Sequence, residues 1–133
     1  MPDCSIYAPE KNLAARAANA SAFRGAVDSD PDTMWSAPEG SHSAMIDLLF
    51  VHPIRFDRTL IMEWLVDGQK VQKYAIQVMD GAKWKTVYSG TTIGYKKIDL
   101  FPRVSAQHVR LNILSSSGTP RIREFQLFDG SAD

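Results

Sequence analysis

The chain has little of what several common classes of protein need. Its 133 residues include one cysteine, Cys4, so no disulfide can form within the chain. Fifteen Lys and Arg balance fifteen Asp and Glu, which argues against nucleic-acid binding because that needs a surplus of positive charge. No segment approaches the roughly 20 apolar residues of a membrane span, and Met1–Ser5 lacks the basic and apolar regions of a signal peptide. We therefore expect no membrane span, and either a cytoplasmic chain or a piece of a longer exported protein.

The motifs of autonomous enzymes are also missing. The three histidines His42, His52 and His108 are far apart, and none has a metal-binding partner at helical spacing. Neither a glycine-rich phosphate loop nor a Gly-x-Ser-x-Gly elbow is present. We interpret the carboxylates that could form a glycosidase pair as surface charges: Glu39, Asp47, Asp57, Glu63 and Asp67. The sequence predicts a chain that is not an enzyme.

From Ser43 onward the sequence has the period of β-strands. Apolar residues alternate with polar ones or run on continuously in seven segments: 44–50, 54–64, 74–79, 84–88, 98–101, 109–114 and 122–128. Period two over four to eight residues is typical of a strand, and turn dipeptides such as Asp80-Gly81 separate the segments. Short strands without helices between them predict an all-β antiparallel jelly roll with under about 10% helix, most of it before residue 40.

The first forty residues are irregular. The Ala-rich segment Asn12–Ala20 could form a short helix, but it lacks a stripe of large apolar side chains, so an edge strand is equally open. The loop that follows has Asp28, Asp30 and Asp32 at alternating positions and then Thr33. Hard oxygen ligands in a tight turn suit Ca²⁺, while a solvated turn held by Asx hydrogen bonds fits the composition equally well.

This loop also resembles a family signature. The segment Ala26–Trp35 is similar to the Ala-x-Asp-Gly-Asp-x-x-Thr-x-Trp pattern of the factor V/VIII type C, or discoidin, domain, whose superfamily includes the family 32 carbohydrate-binding modules. The resemblance covers nearly the whole chain and ends in Val109–Ile113 and Pro120–Phe125. Two further segments, Gly68–Val71 and Gly90–Ile98, resemble the discoidin-like domain appended to α-L-fucosidases of glycoside hydrolase family 29.

The resemblance implies an eight-stranded antiparallel jelly-roll β-sandwich at residues 12–129, between an N-terminal extension (1–11) and a C-terminal tail (130–133). It implies a non-catalytic carbohydrate-binding module excised from a fucosidase-type enzyme that is secreted, periplasmic or on the cell surface. The expected partner is a fucosylated or galactosylated glycan, together with the catalytic domain of the parent enzyme. Two alternatives stay open: an architectural domain that braces the catalytic barrel without binding sugar, and a protein- or lipid-binding discoidin domain.

A structural cation, Ca²⁺ by expectation, is implied as well. Carried over by position, its ligands are the side chains of Asp28, Thr33 and Glu124, a side-chain or carbonyl oxygen of Asp30, and the carbonyls of Thr33 and Gly25. Such an ion would join the acidic loop to the last strand and close a long segment of chain. Ser29 stands where the family usually has Gly, so the loop is expected to form if Ser29 avoids a strained positive φ.

The sugar site departs from the family pattern. Galactose-binding relatives use a His directly after the signature Trp, where this chain has Ser36, and an Arg and an Asn in a loop that here, at residues 63–69, contains neither. Trp35 is interpreted as a core residue, with a sugar-stacking role as the alternative.

We predict a shallow sugar site on the aromatic face of Trp64. Its hydrogen-bonding partners would be Glu63 and Gln69, with Ser36 or Glu39 at the rim. The alternative is that Trp64 packs inward at the end of its strand.

Overall fold

The computed structural model describes residues 12–30, 32–66 and 68–130. Three short helical turns come first: Leu13–Arg16, Ala20–Phe23 and Arg24–Val27. Six strands follow: β1 Trp35–Ser36, β2 Ala44–Glu63, β3 Val71–Asp80, β4 Lys83–Gly90, β5 Lys97–Ser116 and β6 Arg121–Phe128. The all-β fold is confirmed, with its few helical residues placed before residue 40. The predicted extension 1–11 and residues 131–133 of the predicted tail lie outside the described residues.

The Ala-rich segment forms a helical turn and not an edge strand. Asn12 begins it, because its side-chain oxygen accepts the amide of Ala14 at 3.0 Å. The same oxygen accepts the amide of Leu127 at 3.2 Å, which fastens the turn to β6. Ala14 and Ala17 are buried, so the absence of large side chains lets the turn lie close against the sheet.

The strands form one antiparallel sheet in the order β1-β6-β2-β5-β3-β4. The two 20-residue strands β2 and β5 pair with each other, with register shifts between Leu49 and Ile54 and between Phe56 and Arg58. β6 pairs with the second half of β2, whereas β3 pairs with the second half of β5. Since β2 and β5 each have two halves with different neighbours, the six strands correspond to the eight of the predicted jelly roll.

The core follows the period-two pattern of the sequence. Tyr74, Ile76 and Val78 of β3 are buried, and so are Val109, Leu111 and Ile113 of β5. Each such side chain contributes roughly 1.5–3 kcal/mol through burial. The predicted hairpin at Asp80-Gly81 is confirmed, because β3 and β4 meet there and Gly81 has a φ of 64°.

Within the part of the chain that the structure describes, no helix is long and apolar enough to cross a membrane.

Candidate functional site

The acidic loop gathers oxygen atoms around the hydroxyl of Thr33. This hydroxyl lies 2.6 Å from Asp28 Oδ2, 3.0 Å from the Asp30 carbonyl and 3.3 Å from the Gly25 carbonyl. A hydroxyl has one proton to donate, so these four oxygens share a single hydrogen. Such a crowd of oxygens suits a hard cation.

The predicted Asx turns are present in the same loop. The amide of Asp30 donates to Asp28 Oδ1 and the amide of Asp32 donates to Asp30 Oδ1, both at 3.0 Å. Partial burial alone would raise the pKa of Asp28, but the hydrogen bonds from Thr33 and from the Asp30 amide outweigh it and lower that pKa. The two interpretations of this loop are therefore compatible, because the turns arrange the oxygens.

Glu124 of β6 reaches the loop from the opposite end of the chain. Its side chain is 1% exposed, and Oε1 accepts a hydrogen bond from Gln126 at 2.9 Å. Oε2 is buried and has no hydrogen-bond partner among the described residues. Burial, together with the neighbouring carboxylate of Asp28, raises the pKa of Glu124 to about 8. The donor set thus includes a buried carboxylate oxygen that lacks a partner, and a cation there would satisfy it.

The five predicted ligand residues therefore lie together. No group of three or more His, Cys, Asp or Glu side chains suited to a metal occurs in the described residues, so this arrangement depends on two carboxylates, one hydroxyl and main-chain carbonyls. Asp30 offers its carbonyl, because its Oδ1 accepts the Asp32 amide. The residues present fit Ca²⁺ by the chemistry of their oxygens.

Ser29 does not avoid a positive φ. Its φ of 59° is the one left-handed value among the described non-glycine residues, and the loop forms nevertheless. The side-chain amide of Asn12 donates to Ser29 Oγ at 3.2 Å, which helps to hold the residue in this conformation. The condition placed on Ser29 from the sequence is therefore wrong, since the loop tolerates the strain.

Trp64 follows directly after β2 and is half-buried. Its amide donates to the carbonyl of Arg121 at 3.0 Å, and the guanidinium of Arg123 lies 5.7 Å from the centre of its ring. Gln69 is exposed in the next loop. Trp64 is therefore neither fully packed inward nor fully open to solvent, and a charged side chain lies beside its ring.

Glu63 requires a correction. Its side chain is 1% exposed, and Oε2 accepts the amides of Lys70 and Val71 at 2.7 and 3.0 Å. Oε1 accepts the amide of Gly94 at 3.3 Å. A carboxylate enclosed by three amides is not available to a sugar at the surface; it ties two loops to the end of β2. The alternation of the strand could have shown this, because Glu63 is two residues after the buried Ile61 and so lies on the same face of β2.

The two predicted rim residues lie on β1 and in the turn after it. Ser36 of β1 pairs with Arg121 of β6, the residue whose carbonyl binds the Trp64 amide, so Ser36 and Trp64 approach the same point of β6. Glu39 is exposed in the following turn. Trp35 is partly buried against the core, and its ring meets that of Phe23 edge-on at 5.6 Å. The core interpretation of Trp35 agrees with this packing.

A second polar and aromatic cluster was not predicted. Trp84 of β4 lies beside His108 and Arg110 of β5, with its ring centroid 4.6 Å from that of His108. Alternation in the sequence places His108 and Arg110 on the outer face of β5, but only the pairing of β3 with both β4 and β5 brings Trp84 to them.

Comparison with known proteins assigns the family. A model of the F5/8 type C domain matches residues 11–125. The chain belongs to the F5/8 type C domain family. The loop signature Ala26–Trp35, which suggested this family, therefore lies in a true member of it.

Known proteins that resemble this F5/8 type C domain include one named as a fucosidase and, in fold, a binding module. The chain is 31% identical over 97 residues to the protein named "Putative alpha-L-fucosidase 1" from Oryza sativa subsp. japonica, covering 73% of this chain and 19% of that one. The solved structure of SpGH29 superimposes with a TM-score of 0.77 at 26% identity, over 90% of this chain and 28% of that one. Chitosan-binding module 1 of a chitosanase/glucanase from Paenibacillus sp. IK-5 gives a TM-score of 0.74 at 22% identity, over 89% and 98%. The chain thus spans a small part of the fucosidases and nearly all of the module.

Proposed function

We propose that this F5/8 type C domain is a non-catalytic carbohydrate-binding module with a structural Ca²⁺ site, from a secreted, periplasmic or cell-surface enzyme of α-L-fucosidase type. One observation carries the proposal: the fold is coextensive with a chitosan-binding module, which the chain covers over 98% of its length. A domain of this size that recurs inside fucosidases and as a binding module of a chitosanase/glucanase has the properties of an accessory domain. The candidate ligands are fucosylated, galactosylated and glucosamine-containing oligosaccharides.

The sugar site in this proposal is centred on Trp64. The half-buried indole supplies an apolar surface for the C–H groups of a sugar, and the exposed side chain of Gln69 supplies a donor and an acceptor. Ser36 lies nearby through β6. Glu63 contributes indirectly, because its buried carboxylate accepts the amides of Lys70 and Gly94 and so holds their two loops in position. In a shallow site, hydrogen bonds to water are replaced by hydrogen bonds to the sugar, with little net gain in free energy. We therefore expect a dissociation constant between roughly millimolar and tens of micromolar.

The cation has a structural role in this proposal. Asp28 and Glu124 are separated by most of the chain, and a cation between them would join the acidic loop to β6 much as a crosslink does. The buried Oε2 of Glu124 and the oxygens around Thr33 support this assignment. Ca²⁺ fits because it binds carboxylate, hydroxyl and carbonyl oxygens with flexible geometry.

The experiment is a glycan array probed with the chain in Ca²⁺ and again in EDTA. We expect binding to a subset of the candidate oligosaccharides, and weaker binding in EDTA at temperatures where the metal-free domain begins to unfold. The variant Trp64→Ala should lose roughly ten- to hundred-fold in affinity. Val66→Ala is the matched control, because Val66 is in the same loop and 74% exposed, and it should bind as the unaltered chain does.

The architectural alternative makes the opposite prediction. A domain that only braces a catalytic barrel would bind no array ligand in either buffer. If Trp64 were instead a core residue, Trp64→Ala would lower the free energy of unfolding by about 3–5 kcal/mol; as a half-buried residue it should cost less than that. Melting curves of Trp64→Ala distinguish a core Trp64 from a half-buried one.

A further inference from the structure

The outer face of the sheet carries a second candidate site, whose residues lie outside the acidic loop and the loop after Trp64. Four neighbouring strand segments contribute to it: the first half of β2, the second half of β5, β3 and β4. We call it the Arg110 patch and define it by six residues: Asp47, Gln77, Trp84, His108, Arg110 and Asn112. All six are partly open to solvent, so the patch is a surface and not a core feature.

Arg110 is held in one orientation. Its guanidinium carbon lies 3.8 Å from the centre of the Trp84 ring, and its Nε donates to Gln77 Oε1 at 2.7 Å. Gln77 is itself fixed, since it also accepts from Asn112 at 3.2 Å and donates to Thr86 Oγ1 at 3.1 Å. A stacked and hydrogen-bonded guanidinium has already lost most of its rotational freedom, so a ligand that binds it would not bear that entropy cost.

The acidic residue of the patch, Asp47, does not form an ion pair with Arg110. Asp47 lies opposite Arg110 in the strand register, but its carboxylate contacts His108 Nε2 instead, and Arg110 forms no ion pair with the described residues. A guanidinium has five N–H donors. Nε–H is used, and the four N–H groups of the terminal nitrogens make no hydrogen bond within the described part of the chain. A fixed guanidinium with both terminal nitrogens available matches the two oxygens of a carboxylate.

The surroundings of Arg110 suit a saccharide. Met45 pairs with Asn112 and Leu49 pairs with His108 across β2 and β5, and these two apolar side chains are 48% and 50% exposed. Asn112 uses one N–H for Gln77 and keeps its carbonyl oxygen and second N–H for a ligand. Apolar side chains beside amide groups fit a molecule with C–H faces and hydroxyls.

We propose that the Arg110 patch binds a carboxylate-bearing saccharide, a hexuronic acid within an oligosaccharide. The carboxylate pairs with the terminal nitrogens of Arg110, the hydroxyls contact Asn112, and the sugar ring packs beside Met45 or Leu49. The saccharide character of the ligand rests on the proposed function, whereas its negative charge rests on Arg110 alone. This site is separate from the Trp64 site.

Trigalacturonic acid and the neutral trisaccharide galactotriose are the probes. The ¹⁵N-labelled chain is titrated with each, and shifts of the amides and of Arg110 Nε are followed by NMR. We expect trigalacturonic acid to bind at least about ten-fold more tightly than galactotriose, with shifts at Gln77, Arg110 and Asn112. Binding should weaken when salt is raised, because a surface charge pair is screened.

Two variants separate recognition from structure. Arg110→Lys keeps the charge but not the paired N–H geometry and should lose most of the preference for the acidic trisaccharide. Arg110→Gln should lose all of it. Arg55→Gln is the matched control, because it removes the charge of an exposed arginine outside both sites, and it should bind trigalacturonic acid as the unaltered chain does. If Arg110→Gln does not fold, Arg110→Lys and the salt dependence of the unaltered chain decide.

Equal affinity for the two trisaccharides would overturn the inference while leaving the proposed function intact. So would acidic binding that maps to Trp64, or that survives Arg110→Gln. If neither trisaccharide shifted any resonance, this inference would be overturned, and the proposed function would still be decided separately by the fucosyl and chitosan oligosaccharides of the glycan array.

Discussion

Gly25 and Ser29 show how single residues decide whether the acidic loop can close. A Cβ at Gly25 would lie 2.1 Å from the carbonyl oxygen of Met34, so the close approach of the two backbone segments requires glycine. Ser29 adopts a φ of 59°, which costs a non-glycine residue about 1–2 kcal/mol. The hydrogen bond from Asn12 offsets part of that cost.

Gly25→Ala should lower the free energy of unfolding by on the order of 2 kcal/mol or more, because backbone and not a flexible side chain must move. Gly118→Ala is the control, since its Cβ would meet only the side chain of Lys70, at 2.9 Å. Urea denaturation of both variants tests this. Equal stability of the two would show that the loop does not need this close approach.

Glu63 is the residue whose buried contacts differ most from the surface role first predicted for it. Glu63→Gln removes the charge and presents an amide group to main-chain N–H donors at one of its two oxygen positions. We expect a loss of about 2 kcal/mol in the free energy of unfolding. Gln69→Ala, in the adjoining exposed loop, should change stability by less than about 0.5 kcal/mol. If Glu63→Gln left the free energy of unfolding unchanged, the three amides would have found other hydrogen-bond partners.

At the scale of the elements, period-two alternation was enough to locate the strands and their buried faces, as the runs Tyr74–Met79 and Val109–Leu114 show. It could not show that β2 and β5 are 20-residue strands with different neighbours along their length, because pairing partners depend on long-range contacts. The residues proposed as cation ligands could be predicted because a family signature marks them. The Arg110 patch was missed because four strands contribute its side chains.

The link between the acidic loop and β6 makes stability depend on pH. Burial and Asp28 raise the pKa of Glu124 from its ordinary 4.5 to about 8. Between these values the metal-free folded state holds a proton that the unfolded chain has lost, so stability should fall as pH rises through this range. The pKa of Asp28 is lowered from its ordinary 3.8, so it affects stability only below that pH and leaves the range from pH 5 to pH 8 unchanged. Melting temperatures in EDTA should therefore be several degrees lower at pH 8 than at pH 5.

Ca²⁺ should restore the loss, and more so at pH 8 than at pH 5, because the ion replaces the proton at Glu124. Glu124→Gln imitates the protonated side chain, so its melting temperature should vary little over the same range and should not respond to Ca²⁺. Identical melting curves of the unaltered chain in EDTA and in saturating Ca²⁺ at pH 8 would contradict the cation assignment.

At the scale of the whole molecule, structural and recognition roles in the proposed function fall on different parts of the jelly roll. The acidic loop and β6 close the fold through Asp28 and Glu124, while Glu63 holds the loops beside Trp64. We therefore expect the buried carboxylates to act in folding and the partly exposed side chains to act in binding. Point mutations at Trp64 or Gln69 should accordingly alter binding with smaller effects on folding than mutations at Glu63 or Glu124.

The most direct test of the central claim, that this domain binds carbohydrate beside Trp64, is an NMR titration of the ¹⁵N-labelled chain in Ca²⁺. Fucosyl, galactosyl and chitosan oligosaccharides are added up to tens of millimolar. We expect saturable shifts of the Trp64 indole N–H and of the amides of Trp64, Leu65 and Gln69 with at least one of them, and the loss of these shifts in Trp64→Ala. The absence of any shift in this segment with every oligosaccharide would contradict it and favour the architectural role.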